Sequence, residues 1–383
     1  WFEELGLRYY GPVNGHDIEE LIHVFENSKQ FDCPVLIHCL TEKGRGYLPA
    51  QKNPGKFHGV GAFDISTGET LDKSTQPSYT KVFANTLVDL AASDSRICGI
   101  TAAMASGTGM DAFHKAYPKR AFDVGIAEEH ATTMASAMAL SGLKPVVAIY
   151  STFMQRAYDQ LIHDCALQNA PVVFALDRAG IVGADGPTHH GVFDLSFLRT
   201  IPNMTVMAPM DEPELQNMLY SAIHYDKLVA LRYPRGRGPG HALVSDYELI
   251  PYGKAEVLRQ GTDATIVAIG AMVEPSLAAA DRLAEQGISA GVINARFAKP
   301  LDTETIFAFA DKPLITVEEN VLAGGFGSAV LEAANDAGIA APILRIGLPD
   351  HFVAHGDTSR LRDDNGLSPE KIAARIAAFL GKD

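Results

Sequence analysis

Between residues 97 and 232, short apolar runs and amphipathic stretches take turns along the chain. The runs at 97–101, 121–124, 145–150, 171–176, 205–208 and 229–232 have the length and apolarity of buried strands. Stretches 78–92, 127–140, 153–167 and 212–224 carry apolar residues at helical spacing. Alternation of this kind specifies an α/β fold, a parallel sheet with right-handed helical crossovers, because parallel neighbours cannot be joined by a tight turn. Arg232-Tyr233-Pro234-Arg235-Gly236-Arg237-Gly238-Pro239 sustains neither element. The alternation resumes near residue 252, with strands predicted at 264–269, 289–294, 314–317 and 343–346. Helices are predicted at 273–286, 303–309, 327–337 and 369–380.

The first 76 residues are organised differently. Ile18, Leu21, Ile22 and Phe25 predict a helix over 16–29, and 34–40 reads as a strand. Residues 41–61 then lose periodicity and fill with Gly, Pro and Lys, including Lys43-Gly44-Arg45-Gly46-Tyr47 and Phe57-His58-Gly59. Such a loop after a strand serves either as part of a site or as a plain linker. Polar residues 66–76 read as a connector. The expected domains are 1–76, 77–245 and 246–383.

Composition narrows the function classes. With 47% hydrophobic and 20% charged residues, the chain can build sizeable cores. A net charge of −14 argues against a nucleic-acid surface, though not against local basic pockets. Cys33, Cys39, Cys98 and Cys165 show no zinc spacing and read as thiols in a reducing compartment. No run approaches the roughly 20 apolar residues of a membrane helix, so no membrane partner is expected. The chain opens Trp1-Phe2-Glu3-Glu4, without Met or a targeting segment, and reads as cut from something longer.

Chemistry concentrates after three of the predicted strands. The 171–176 strand delivers Asp177-Arg178-Ala179-Gly180-Ile181-Val182-Gly183-Ala184-Asp185-Gly186-Pro187-Thr188-His189-His190-Gly191. Its glycines allow close backbone approach, and its imidazoles and guanidinium offer proton transfer and anion binding. In open α/β sheets, ligands gather at such carboxyl-end loops. Glu128 and Glu129 open the 127–140 helix. Either can serve as a dipole partner, but a buried Glu128 could also hold or accept a proton. Phe153 follows the 145–150 strand behind Ser151 and Thr152, read as helix caps. It is either core packing or an aromatic face for a flat heterocycle. Arg178 and Arg235 each follow a strand and suit a phosphate clamp, since guanidinium matches phosphate bidentately.

On Gly125–His130, Tyr150–Gln160 and the 177–191 loop, the chain resembles the 1-deoxy-D-xylulose-5-phosphate synthases, thiamine-diphosphate enzymes of the transketolase superfamily. The resemblance extends to Gly11-Pro12-Val13-Asn14-Gly15-His16-Asp17, Lys43–Tyr47, Arg232–Gly236 and Val317-Glu318-Glu319-Asn320. It implies a thiamine-diphosphate-binding, transketolase-like parallel-sheet domain followed by a smaller α/β C-terminal domain. The implied reaction is decarboxylative condensation of pyruvate with D-glyceraldehyde 3-phosphate, which feeds isoprenoid, thiamine and pyridoxal synthesis.

By the same resemblance, Glu128 meets the cofactor's aminopyrimidine nitrogen and Phe153 stacks on that ring. Tyr47 lies in a loop closing over the cofactor, and His58 and His189 are active-site histidines. Tyr150, Arg178 and Arg235 bind the acceptor, the arginines at its phosphate, while Asp185 orients the loop. The family's Gly-Asp-Gly motif with its later Asn, which binds Mg2+ and the diphosphate, has no match here. Residues 1–76 are therefore expected to be the end of a diphosphate-binding domain, and no metal ligand is assigned in this chain. The remainder is expected either on a separate polypeptide or to have been removed. A homodimer in a bacterial cytoplasm or plastid stroma is expected. The alternatives are the β subunit of a 2-oxo-acid dehydrogenase and a non-catalytic subunit of the same fold.

Overall fold

The computed structural model describes residues 1–72 and 74–382. They form two compact units, Trp1–Thr75 and Gln76–Asp383. In the first unit, strand β1 (Arg8–Asn14) lies parallel to β2 (Val35–Leu40), with the helix Ile18–Ser28 between them. Asp17 starts that helix by accepting the Glu20 N–H, an N-cap that satisfies one orphan donor. β1 has no counterpart among the predicted elements, because Gly11 and Pro12 interrupt any strand-like pattern. Within the stretch predicted to be aperiodic, Leu48–Lys52 makes a short helix.

The second unit contains two sheets. The larger has seven strands, built on β3 (Ile97–Thr101), β4 (Ala121–Asp123), β5 (Lys144–Tyr150), β6 (Val173–Asp177), β7 (Thr205–Met207) and β8 (Val229–Arg232). The smaller is built from β9 (Glu256–Arg259), β10 (Ala264–Ala268), β11 (Ala290–Asn294), β13 (Leu314–Val321) and β14 (Ile343–Leu348), in the order β14-β13-β10-β11-β9. β12 (Phe297–Lys299) follows β11 but pairs antiparallel with β7, giving the larger sheet the order β12-β7-β8-β6-β5-β3-β4.

Both faces of the larger sheet are covered. Ile100, Val147, Ile149, Phe174 and Leu176 pack into one core cluster, and Val146, Ala148, Val173, Ala175 and Leu231 into another. Burial on both faces is why these strands read as continuous apolar runs. The helix Glu128–Leu140 lays Ala131, Ala135 and Ala139 against the first cluster, so its small residues let it approach the sheet closely.

The predicted parallel α/β alternation is present, with three departures. β9 and β12 are antiparallel edge strands too short to show periodicity. Met110–Ala116, Asp194–Leu198 and Thr358–Asp364 are short helices without a predicted counterpart.

The third departure is the 153–167 helix, which is not continuous. It runs as α-helix over Ser151–Met154, 3-10 helix over Gln155–Ala157, one turn at Tyr158–Gln160 and π-helix over Leu161–Ala166. The Asp164 carbonyl accepts from Ser136 Oγ (2.5 Å), and the Asp164 carboxylate accepts from Thr133 Oγ1 (2.5 Å). Bonds from the neighbouring small-residue helix thus engage the π segment, a feature no apolar spacing records. Ser151 and Thr152 do not cap this helix: Tyr150 is the N-cap residue, and Ser151 Oγ donates instead to buried Asp194 (3.0 Å).

Candidate functional site

At or beyond the carboxyl ends of β4, β5, β6 and β8 lie Glu128, Tyr150, Arg178 and Arg235. Glu128 opens its helix directly after β4 and Gly125, and only 2% of it is exposed. Its Oε1 accepts from Arg156 Nη1 at 2.6 Å, while its buried Oε2 has no partner among the described residues. A buried acceptor left unpaired is costly, so this oxygen marks a place where a ligand donor would be stabilising.

The same arginine places its guanidinium 4.8 Å from the centre of the Phe153 ring. Phe153 in turn stacks on Tyr150, with centroids 5.7 Å apart and planes at 16°, and meets His189 edge-on at 5.3 Å. Tyr150 ends β5 with its ring under the Arg178 guanidinium at 3.7 Å. Burial holds the Tyr150 hydroxyl above its ordinary pKa, with the Arg178 charge opposing. Gly107 lies against that hydroxyl so closely that a Cβ would coincide with it.

Asp177 ends β6 and is fully buried. It accepts from Thr80 Oγ1 (2.7 Å) and from Arg178 Nη1 (3.0 Å). Burial pushes its carboxyl up to about 6, against the pull of the Arg178 charge. Arg178 has φ +63°, a conformation non-glycine residues seldom adopt, and its Nη1 also donates to the Gly107 carbonyl at 2.7 Å. Arg178 Nε and Arg235 Nε lie 3.6 and 3.4 Å from the same Asp185 oxygen, Oδ2. Two guanidiniums therefore converge on one carboxylate, and Arg178 Nε is buried without a hydrogen bond among the described residues. The pair offers an oxyanion more donors than Asp185 uses.

The two histidines of the loop differ. His189 is half-buried, with Nδ1 2.8 Å from Thr188 Oγ1. His190 is buried: Nδ1 accepts the Val182 N–H (3.0 Å) and Nε2 donates to the Ala354 carbonyl (3.1 Å). With both nitrogens engaged, His190 fixes the loop.

Of the sequence-predicted residues, Glu128, Tyr150, Phe153, Arg178, Asp185, His189 and Arg235 thus form one contiguous set, joined through Arg156. Tyr47 and His58 belong to the first unit. There Tyr47 packs against Phe57 and Phe63 and donates to the Ile65 carbonyl (2.8 Å), while His58 is exposed. Arg156, Asp177 and Thr80 are participants that sequence reasoning did not single out. Arg156 stands three residues beyond Phe153, a spacing that shares a helix face, and Asp177 is the last residue of an apolar strand. Nothing in the sequence marks Thr80.

Most of the chain matches known protein families. Residues 75–240 match the transketolase pyrimidine-binding domain, 253–372 the transketolase C-terminal domain, and 1–41 the 1-deoxy-D-xylulose-5-phosphate synthase family model. Among solved structures, a split-gene transketolase described as an inactive β4 tetramer superposes with a TM-score of 0.70 at 28% identity, over 80% of this chain and 99% of that one. A transketolase from Pichia stipitis shares the fold, with a TM-score of 0.67 at 20% identity, over 81% of this chain and 46% of that one. The fold and the site together define a member of the transketolase superfamily.

Within that class the sequence is more particular. The 1-deoxy-D-xylulose-5-phosphate synthase of Heliobacterium modesticaldum is 56% identical over 381 residues, 99% of this chain and 59% of the relative. That of Gloeobacter violaceus is 55% identical over 388 aligned positions, 100% of this chain and 61% of the relative. The chain belongs to the 1-deoxy-D-xylulose-5-phosphate synthase family, and it spans about three fifths of the length of these relatives. The match of residues 1–41 does not favour a 2-oxo-acid dehydrogenase β subunit.

Proposed function

We propose that this chain carries the pyrimidine-binding and acceptor-binding part of an active site that condenses pyruvate with D-glyceraldehyde 3-phosphate, releasing carbon dioxide and 1-deoxy-D-xylulose 5-phosphate. The observation that carries the reading is Glu128, a buried carboxylate with one unpartnered oxygen, joined through Arg156 to the Phe153 ring. A ring nitrogen bearing a proton would satisfy Oε2, and Phe153 supplies an aromatic face for the same ring, so these residues fit thiamine diphosphate. When bound with Mg2+, thiamine diphosphate supplies the electron sink for loss of carbon dioxide and for carbon–carbon bond formation.

The chain's own residues bind, orient and move protons. Glu128 accepts a hydrogen bond from the pyrimidine ring and exchanges a proton with it. Arg178 and Arg235 hold the acceptor phosphate, and Asp185 keeps the two guanidiniums together. Tyr150 orients the acceptor beside Phe153. His189 gives a proton to, or takes one from, the reacting oxygen of the acceptor. Tyr47 and His58, in the first unit, take the roles of cofactor contact and active-site histidine by resemblance to the family. Mg2+ and the diphosphate fall to residues outside this set. The setting this reading implies is a homodimer in a bacterial cytoplasm, as the organisms of the relatives suggest. Replacing Glu128 by Ala tests the reading: turnover should fall by about 10²-fold or more while the circular dichroism of the fold is unchanged. Near-normal turnover in that variant would remove the cofactor assignment.

A further inference from the structure

Arg156 belongs to no part of the acceptor clamp, yet it makes the only hydrogen bond to the Glu128 carboxylate among the described residues. Glu128 is buried, whereas Arg156 reaches it from a position 47% exposed. This is therefore not an ordinary surface ion pair, whose two partners would both be hydrated.

The geometry also selects between the two oxygens. Nη1 bonds to Oε1 alone rather than forking across both, so Oε1 is occupied and Oε2 is left open. The guanidinium meanwhile lies 4.8 Å from the Phe153 ring centre. One side chain thus touches both groups assigned to the pyrimidine ring. Phe153, in the α-helical turn Ser151–Met154, and Arg156, in the 3-10 turn Gln155–Ala157, stand three residues apart, a spacing that puts them on one side of the helical path.

We infer that Arg156 is a positioning residue: through its bond to Oε1 it fixes the orientation of the Glu128 carboxyl group, with Oε2 open to the cofactor's aminopyrimidine ring. The inference rests on the proposed function of Glu128. It is tested in the holoenzyme, with thiamine diphosphate and Mg2+ supplied, by two readouts other than turnover. One is the near-ultraviolet circular dichroism of the bound cofactor at fixed neutral pH, which reports the amino and imino forms of the ring. The other is the thiamine diphosphate dissociation constant.

Arg156→Gln should raise that constant by about tenfold or more, the scale of a lost charged hydrogen bond, and should move the spectrum towards that of Glu128→Gln. Arg156→Lys keeps the charge without the planar guanidinium and should lie between wild type and Arg156→Gln. A wild-type spectrum and affinity in Arg156→Gln would overturn the inference. If that variant does not fold, Arg156→Lys decides, a displaced spectrum supporting the inference and an unchanged one overturning it. Glu128→Gln separates the two levels. If it leaves both readouts unchanged, the reading of Glu128 itself fails; if only the Arg156 variants are silent, Glu128 stands and Arg156 does not.

Discussion

Glu319 and Arg362 form a two-pronged ion pair directly beneath Gly180, with Arg362 Nε 2.6 Å and Nη2 3.0 Å from the two carboxylate oxygens. Gly180 sits at φ +78°, and a Cβ there would land on the Glu319 carboxylate. The pair comes from β13 and the helix Thr358–Asp364, so elements distant in sequence set the floor of the loop that carries Arg178 and His189. Glu319 is buried, and removing one member of such a pair leaves an uncompensated charge. Arg362→Ala should lower unfolding stability by about 3 kcal/mol in a denaturant titration. An effect below about 0.5 kcal/mol, the scale of a surface pair, would contradict that role.

The proposed acceptor clamp predicts a split in kinetic constants. Arg235→Ala should raise the Michaelis constant for D-glyceraldehyde 3-phosphate by about tenfold or more, as loss of a charged hydrogen bond requires, and change that for pyruvate little. Steady-state kinetics with each substrate varied in turn decides it, and equal effects on the two constants would remove Arg235 from the clamp.

Asp177 gives a prediction in pH. Its carboxyl is raised by burial from 3.8 to about 6, so the folded state binds this proton more tightly than the unfolded chain does. That contribution is complete below about pH 4 and is lost as the pH rises through about 6, roughly 3 kcal/mol for a shift of this size. Asp177→Asn should therefore flatten the dependence of stability on pH between 4 and 6, followed by chemical denaturation at a series of pH values. An undiminished slope would place that proton elsewhere.

Gly107 touches the Tyr150 hydroxyl and carries the carbonyl that holds Arg178. Gly107→Ala should displace Tyr150, lower stability by about 1–3 kcal/mol as overpacking does, and weaken acceptor binding along with it. Thermal unfolding and the acceptor Michaelis constant together check this. A variant with both values at wild type would show that the contact carries no constraint.

How much of this was legible in the sequence follows from what each feature depends on. The strands of the larger sheet are visible because burial on both faces leaves an apolar run in sequence. The 177–191 loop and Glu128 are visible because a polar, glycine-rich segment after such a run has few structural explanations. The Arg156–Glu128 bond is not, since it joins two helical segments 28 residues apart, and apolar spacing around Arg156 records only its own helix. The Asp177 carboxylate is likewise defined by Thr80, 97 residues away, and β12 by its pairing with β7. His190 and His189 look alike in sequence; only the Val182 and Ala354 contacts make one of them structural.

The most direct measurement is product analysis with the holoenzyme supplied with pyruvate, D-glyceraldehyde 3-phosphate, thiamine diphosphate and Mg2+. Carbon dioxide and 1-deoxy-D-xylulose 5-phosphate should form in equal amounts, both dependent on the cofactor and on Glu128. Carbon dioxide release with no five-carbon phosphate formed, or product formation undiminished in Glu128→Ala, would contradict the proposed function.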